Sequence, residues 1–453
     1  RPIYVYGDYD ADGISATAVL WEALYQLKAK VMPYISARNE PVRGLSVKGL
    51  SSFEAKSLVI TVDNGITSFE AAEYAQKTGI DLIITDHHQP KNTLPPAAAV
   101  VHTTQLAGVG VAWFLSRELG GNDNLDLATI GTIADMVPLL GANRSLVKHG
   151  LTKLQTSTRP GLKALSQAAA VDLAKITPHQ VSFTLAPRLN AIGRLADSLD
   201  ALRLLCTTDF KRAQTLAVKL NEVNQQRQDK TMTMLEHARQ QVKESGKLIF
   251  LVDKSYHEGL VGLVAGRLVE EFHRPAVVVA LGPRHAKASM RSLKSFDAIK
   301  AIRDLGDLVL ERGGHPMAAG FTAEAKNLPA IKKQLEAAAA KLTQADLQPE
   351  AAFDCELELA KIDWSFYQEL EKFQPFGFGN LTPLFLAKKV KLLSFYPVGR
   401  DSKHLKLKLP GFAGIAFGQG ALAAKLQPGQ LIDLIYSIEQ NSWNNHQSLE
   451  LKI

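Results

Sequence analysis

The chain has 453 residues, 46% hydrophobic and 21% charged, with a formal net charge of +7. That is an ordinary soluble composition, long enough for two or three domains with separate cores. No apolar run approaches a membrane span, and Cys206 and Cys355 stand far apart in unrelated contexts, which gives no disulfide framework and points to a reducing cytoplasm.

The chain opens at Arg1-Pro2 and enters an apolar run at Ile3, without the charged start and cleavage site of a secretory signal. It also lacks an initiator Met, so a missing N-terminal segment is expected. The positive excess is local. Lysine plus arginine against aspartate plus glutamate is 19 to 18 over residues 1–207, 15 to 10 over 246–343, and 11 to 10 over 351–453. A carboxylate-rich first section beside a basic middle section fits one part that holds cations and another that holds a polyanion.

Residues 1–135 alternate strand-like apolar runs with amphipathic helical patterns, the signature of a parallel sheet with crossover helices. Runs 3–6, 57–62 and 82–85 read as buried strands, and 13–27, 68–78 and 111–119 as covering helices. Each strand runs into a polar cluster: Asp8-Tyr9-Asp10-Ala11-Asp12, then Asp63-Asn64-Gly65, then Asp86-His87-His88. A fourth cluster, Ala134-Asp135-Met136, ends a helix that starts near Leu125. In such sheets ligands bind beyond the carboxyl ends of the strands, so the clusters should share one crevice.

Residues 209–245 contain neither Pro nor Gly and read as one long helix, too polar to be buried all round and suited to connecting two lobes. A second α/β section follows, with strands over 248–252, 276–281 and 286–291 and helices over 261–272 and 328–342. After Pro349 short strands such as 403–409 and 431–438 alternate with Gly and Pro, the pattern of a small barrel. The expected boundaries are 1–207, 208–246 for the connecting helix, 247–345 and 346–453.

The chemistry lies in the clusters. In extended backbone Asp8, Asp10 and Asp12 would point the same way and repel one another unless a cation neutralised them. A calcium loop is the other use of such spacing, but the Glu that would close it is absent and the segment follows a strand. Asp63 precedes a turn dipeptide, so capping the next helix is its ordinary role. Adjacent His87 and His88 would aim oppositely in a strand, which suits one as metal ligand and the other as substrate contact. Asp135 sits near a helix C-terminus, where the dipole disfavours a negative charge and a metal would favour it.

Together these motifs resemble the DHH phosphoesterase superfamily, named for the triplet found here as Asp86-His87-His88, and within it the single-strand-specific exonucleases. The resemblance covers essentially the whole chain. It implies that Asp10, Asp12, Asp63, His87 and Asp135 hold two divalent ions, Mn²⁺ before Mg²⁺, with Asp63 as bridge. Asp8 is a further ligand or stands behind the ligands, His88 touches the scissile phosphate, and Asp86 orients the histidines. Two such ions activate a water and stabilise in-line displacement at phosphorus, with no covalent nucleophile.

The resemblance also implies a DHH domain, the connecting helix, a DHH-associated domain and a terminal OB-fold β-barrel. The segment 187–195 supplies Arg188, Asn190 and Arg194 as substrate contacts. The second lobe supplies Ser289, Arg291, Gly313, Gly314 and His315, and Arg38 is expected on a 5′ phosphate. The joins between Ala37 and Glu54 and between Val101 and Gly108 look abrupt for the family, which bears on Arg38 and Arg43 but leaves the metal ligands untouched.

The implied activity is 5′→3′ digestion of single-stranded DNA to 5′ mononucleotides in repair and recombination, by a cytoplasmic monomer with a helicase and a single-strand-binding protein as candidate partners and no membrane. A phosphodiesterase acting on short oligoribonucleotides or cyclic dinucleotides is the enzyme alternative, though it needs neither barrel nor long helix. A catalytically silent DNA-binding scaffold is the other, against which stands the full ligand set.

Overall fold

The structure, a computed structural model, describes residues 1–36, 44–195, 197–243, 245–443 and 446–453. Its contacts divide the chain into two units: Arg1–Asp135 with His149–Pro349, and Met136–Lys148 with Glu350–Ile453. Among the described residues no helix is long and apolar enough to cross a membrane.

The first unit opens with β1 (Ile3–Gly7), α1 (Ala11–Gln26), β2 (Val31–Ile35), α2 (Val47–Leu50), β3 (Leu58–Val62), α3 (Phe69–Thr78), β4 (Asp81–Asp86), β5 (Ala99–His102), α4 (Gly108–Glu118) and α5 (Leu125–Ala134). The five strands form a parallel sheet in the order β2-β1-β3-β4-β5. Their apolar runs are nearly continuous because helices cover both faces. Tyr4, Tyr6, Val59 and Ile84 bury against Leu50, Ile66 and Ala72. On α1, the small residues Ala11, Gly13, Ala16 and Ala18 are all buried and let α4 and α5 pack closely. Gly7 lies in register with Val62, and Val62 with Thr85, so the three motif-bearing strands end level.

The chain then runs through α6 (Gly141–Gln155), α7 (Pro160–Ala168), α8 (Pro178–Gln180), a π-helical turn over Val181–Leu185, α9 (Ala186–Leu195), α10 (Leu199–Cys206) and the 32-residue α11 (Phe210–Gln241). Arg159, just ahead of α7, joins three elements through Glu22 (2.7 and 2.8 Å), Asp126 (3.1 Å) and Asn124 (2.7 Å). Asp209 caps α11 by accepting the N–H groups of Lys211 and Arg212. The buried residues of α11 fall into two groups, Ala213 to Asn224 and Met234 to Ala238. The helix packs on α7, α9 and α10, and on α12 (Val261–Phe272) of the following section. That split is what a connecting helix requires.

The following section holds β6 (Ile249–Asp253), α12, β7 (Ala276–Leu281), β8 (His285–Arg291), α13 (Ala298–Arg303), β9 (Glu311–His315), β10 (Ala318–Glu324) and α14 (Leu328–Ala339). Its sheet runs β6-β7-β8-β10-β9, with β6 and β7 parallel and the rest antiparallel.

The second unit carries β11 (Cys355–Glu356), α15 (Trp364–Glu371), β12 (Phe385–Lys391), β13 (Ser394–Val398), β14 (His404–Leu409), β15 (Phe412–Ala416), β16 (Leu431–Trp443) and β17 (His446–Lys452), in one sheet of order β11-β12-β16-β17-β15-β14-β13. Phe385, Leu405, Leu407, Tyr436 and Leu451, from strands across that sheet, bury into one core, so the sheet is curled rather than flat. Residues 136–148 join this unit across two hundred positions. Leu139 N–H donates to Phe378 O at 2.7 Å, and Arg144 donates to Lys372 O and Gln374 O at 2.9 and 3.1 Å.

Candidate metal centre

The alternation of Asp8, Asp10 and Asp12 along an extended chain, expected from the sequence, does not occur. The backbone leaves β1 at Gly7 and enters α1 at Ala11, so Asp10 is the N-cap, its Oδ1 accepting Asp12 N–H and Gly13 N–H at 3.0 Å each. Asp8 instead accepts Tyr9 N–H at 2.8 Å and the Ser36 hydroxyl at 3.0 Å. Asp12 points into α1's packing partner and takes the first N–H groups of α4, from Gly108 at 2.7 Å and Val109 at 2.9 Å. A carboxylate is favoured at that helix end.

Asp63 follows β3 in a left-handed backbone conformation, φ 62°. Asn64 fixes the turn by donating to Val62 O at 2.9 Å and Tyr6 O at 3.1 Å. Gly108 makes room for Asp63, since a Cβ there would lie 2.5 Å from its side chain. Asp86 ends β4 and spends its oxygens on Ile66 N–H (2.9 Å), His87 N–H (2.7 Å), His88 N–H (3.2 Å) and His88 Nδ1 (2.8 Å). It therefore orients the histidines and has little left for a metal. Asp135 is the C-cap of α5.

The side chains converge in three overlapping sets, each with ligand atoms within 4.8 Å of one another: Asp63, His87 and His88; Asp12, His87 and Asp135; Asp8, Asp10 and Asp63. Asp63 and His87 are shared between sets. His87 Nε2 lies 3.1 Å from Asp63 Oδ1 and 3.6 Å from Asp135 Oδ2. Asp63 Oδ1 and His87 Nε2 are buried and have no hydrogen-bond partner. His87 Nε2 thus faces the Asp63 and Asp135 carboxylates without a hydrogen bond, the position of a metal ligand.

Without cations the cluster is strained electrostatically. Burial, followed by mutual repulsion, raises Asp12 and Asp63 well above the usual carboxylate range, Asp8 to about 6 and Asp135 to about 7. Burial lowers His87 to about 4, so it is neutral near pH 7. The hydrogen bond that His88 Nδ1–H donates to Asp86 raises His88 to about 9, so the half-exposed His88 ring is cationic. Unpartnered buried donors of electron pairs beside repelling carboxylates fit a site for divalent cations.

Of the other sequence candidates, Asn190 reaches the cluster. Asn190 on α9 accepts Ala11 N–H at 2.7 Å through its side-chain oxygen, holding the backbone between Asp10 and Asp12. Arg188 faces α11, its Nε donating to Asn221 at 3.0 Å. Arg38 and Arg43 lie outside the described residues, as does the side chain of Arg194. In the mixed sheet, Ser289 pairs through Gly320 with Gly313, and Arg291 through Ala318 with His315, so these residues stand in two rows separated by one. Gly314 lies between those rows on β9, at φ 136°. Arg291 donates to Ser289 Oγ at 2.8 Å, and Gly262 leaves the space that its guanidinium fills. The α4 amides and the reach of Asn190 had no local signal, because each partner lies about a hundred residues or more away in sequence.

Comparison with known proteins follows this architecture. The pattern described as the DHH family, N-terminal domain, matches residues 2–137, the DHHA1 domain matches 245–341, and the RecJ OB domain matches 353–453. A single-stranded-DNA-specific exonuclease RecJ from Thermus thermophilus is 37% identical, over all of this chain and 68% of its own length. The chain belongs to the RecJ family. The RecJ of Escherichia coli is 32% identical over 86% of its length, and that of Bacillus subtilis 35% identical. The chain spans 60% of the length of the latter. Among solved structures, RecJ from Thermus thermophilus in complex with Mn²⁺ superimposes with a TM-score of 0.88 at 36% identity, covering all of this chain and 68% of that one. The same protein with Mg²⁺ gives 0.79. The fold is thus the RecJ arrangement of DHH, DHHA1 and OB domains.

Proposed function

We propose that this chain hydrolyses single-stranded DNA from its 5′ end, releasing 5′ mononucleotides; its relatives' names support an exonuclease specific for single-stranded DNA, and the cluster at the sheet's carboxyl edge supports metal-dependent hydrolysis. The observation that carries the reading is the pair of orphaned buried atoms, Asp63 Oδ1 and His87 Nε2, set among carboxylates that repel one another. Asp10, Asp12, Asp63, His87 and Asp135 would hold two divalent ions, with Asp63 shared and Asp8 beside it. Mn²⁺ and Mg²⁺ are the candidates, as in the Thermus structures. Bound there, such ions supply hydroxide near neutral pH and neutralise charge at phosphorus.

The chain's own residues do the rest. His88, cationic and fixed through Nδ1, presents Nε2 as a charged donor to a phosphate oxygen. Asp86 keeps that tautomer and charge in place. Arg291, pinned by Ser289 and without a carboxylate partner among the described residues, with Gly313, Gly314 and His315 beside it, suits a phosphate further along. The OB domain offers a surface for a strand. A setting in DNA repair and recombination, alongside a helicase and a single-strand-binding protein, follows from that substrate.

The test is an end-labelled comparison with Mn²⁺. Mononucleotides released from the 5′ end of single-stranded DNA, and lost in Asp63→Ala, support the proposal. Equal or faster cleavage of a short oligoribonucleotide or a cyclic dinucleotide overturns it, and binding without cleavage assigns a scaffold instead.

A further inference from the structure

Asp135 is the last residue of its stretch in the first unit, and the chain from Met136 to Lys148 belongs to the second. Its carboxylate shares a ligand set with Asp12 and His87, Oδ2 lying 3.6 Å from His87 Nε2. Upstream it is tied to α5, its N–H donating to Gly131 O at 2.9 Å. The next residue, Met136, takes a left-handed backbone conformation, φ 60°, with its side chain 58% exposed. That conformation is costly for a residue with a Cβ, and an exposed side chain offers no packing to offset it. The turn after Asp135 is therefore imposed from its two ends.

The downstream end is gripped by the loop 372–380 that follows α15. Leu139 N–H donates to Phe378 O at 2.7 Å. Pro138 and Leu139 seat against Gly379 and Gly377, where a Cβ would lie 2.7 Å from Pro138 Cβ and from Leu139 Cδ1. Arg144, in the first turn of α6, donates from Nη2 to Lys372 O at 2.9 Å and to Gln374 O at 3.1 Å. Asn143 donates to Pro138 O at 3.2 Å, which ties that helical turn to the segment before it. The loop is itself closed by Asn380, which donates to Phe373 O and Pro375 O at 2.9 Å each. Glycines at the closest approaches, and an arginine committed to main-chain carbonyls, make a socket shaped to residues 138–144.

Farther along, α6 is back in the first unit and packs on α5. A Cβ at Gly150 would lie 1.7 Å from Thr129 Oγ1 and 2.9 Å from Leu125 O. The pair α5–α6 is thus closed at that end by its own contacts, while Asp135 lies at the other, where the socket holds the connecting turn.

We propose that the loop 372–380, acting through Arg144 and residues 138–139, is a positioning element for the metal ligand Asp135. The C-terminal module thereby sets the affinity of the ion in the Asp12, His87 and Asp135 set, and leaves the ion in the Asp8, Asp10 and Asp63 set alone. This rests on the two-ion reading above.

The experiment titrates Mn²⁺ into the full chain by calorimetry, without DNA. In Arg144→Met one of the two binding steps should weaken about tenfold, the loss expected when a group behind a ligand is removed, while the other stays within about twofold. Arg144→Lys keeps a donor able to reach both carbonyls and should restore the weakened step. Gly377→Ala presses its methyl on Leu139 and should weaken the same step. Hydrogen exchange in EDTA should quicken at residues 132–140 in Arg144→Met and stay unchanged at 58–63 and 81–86. An arginine that only steadies the C-terminal module would quicken exchange across 355–453 and leave both Mn²⁺ steps as in wild type. Both steps unchanged, or both weakened alike, overturns this link only. A wild-type chain that takes up fewer than two ions overturns the two-ion reading as well.

Discussion

His87 Nε2 and Asp63 Oδ1 face each other across 3.1 Å, both buried and neither hydrogen-bonded. Burial and the carboxylates around it hold Asp63 well above the usual carboxylate range, so the metal-free centre is held against its own electrostatics. Asp63→Asn replaces one acceptor with an amide that can donate to His87 and removes a buried charge. In EDTA this variant should unfold about 1–2 kcal/mol later than wild type, while losing both activity and the stabilisation by Mn²⁺. Thermal melts with and without metal check this, and a variant less stable in EDTA would contradict it.

The raised carboxylates also set a pH dependence. Asp8 at about 6 and Asp135 at about 7 keep protons that the unfolded chain has already released near pH 4. Stability of the metal-free protein should therefore fall as pH rises from about 4 to 8. Bound cations compete with those protons, so the gain in melting temperature on adding Mn²⁺ should widen over the same range. A gain that is flat or shrinking with pH would rule this out.

Asp86→Asn tests the charge on His88. The wild-type pair is fully formed below pH 6.5 and is lost as pH rises through about 9. With a neutral partner His88 should return toward about 6.5, moving the alkaline limb of kcat/KM down by one to two pH units. The acid limb should stay in place. Imidazole titration by NMR gives the same shift independently of turnover.

Asn190→Ala leaves Ala11 N–H without its 2.7 Å acceptor and frees the backbone between Asp10 and Asp12. Mn²⁺ affinity, read by calorimetric titration, should drop about tenfold. An unchanged affinity would show that Asn190 does not position the loop.

Arg159→Met probes stability alone. It strips the partner from Glu22 and Asp126, both largely buried, and should cost about 3–5 kcal/mol in urea unfolding. A cost below about 1 kcal/mol would mean that the two carboxylates find other partners.

Much of the site was legible because it is built from short motifs at strand ends. The apolar runs before Asp8, Asp63 and Asp86 mark the strands, and a parallel sheet brings their ends together whatever the loops do. The long helix was legible from the absence of Pro and Gly, and it begins one residue after the expected Asp209. What stayed hidden depends on distant partners. The helix expected from Val111 starts at Gly108, because its first amides are capped by Asp12 and not by a neighbouring Ser or Asp. Likewise Asn190, an expected substrate contact, has its side-chain oxygen occupied by the metal loop. The grouping of residues 136–148 with the C-terminal segment follows from contacts such as Leu139 to Phe378, which no periodicity encodes. The buried pairing of Arg159 with Glu22 is of the same kind.

The left-handed backbone at Asp63 has an evolutionary consequence. Glycine and asparagine occupy that conformation at least as comfortably as aspartate does. Either would arise by a single-base change in an aspartate codon and would leave the turn intact. Selection for folding alone therefore cannot defend this position. A lineage released from the need for metal-dependent chemistry would lose it here early and cheaply, and would keep a well-folded protein.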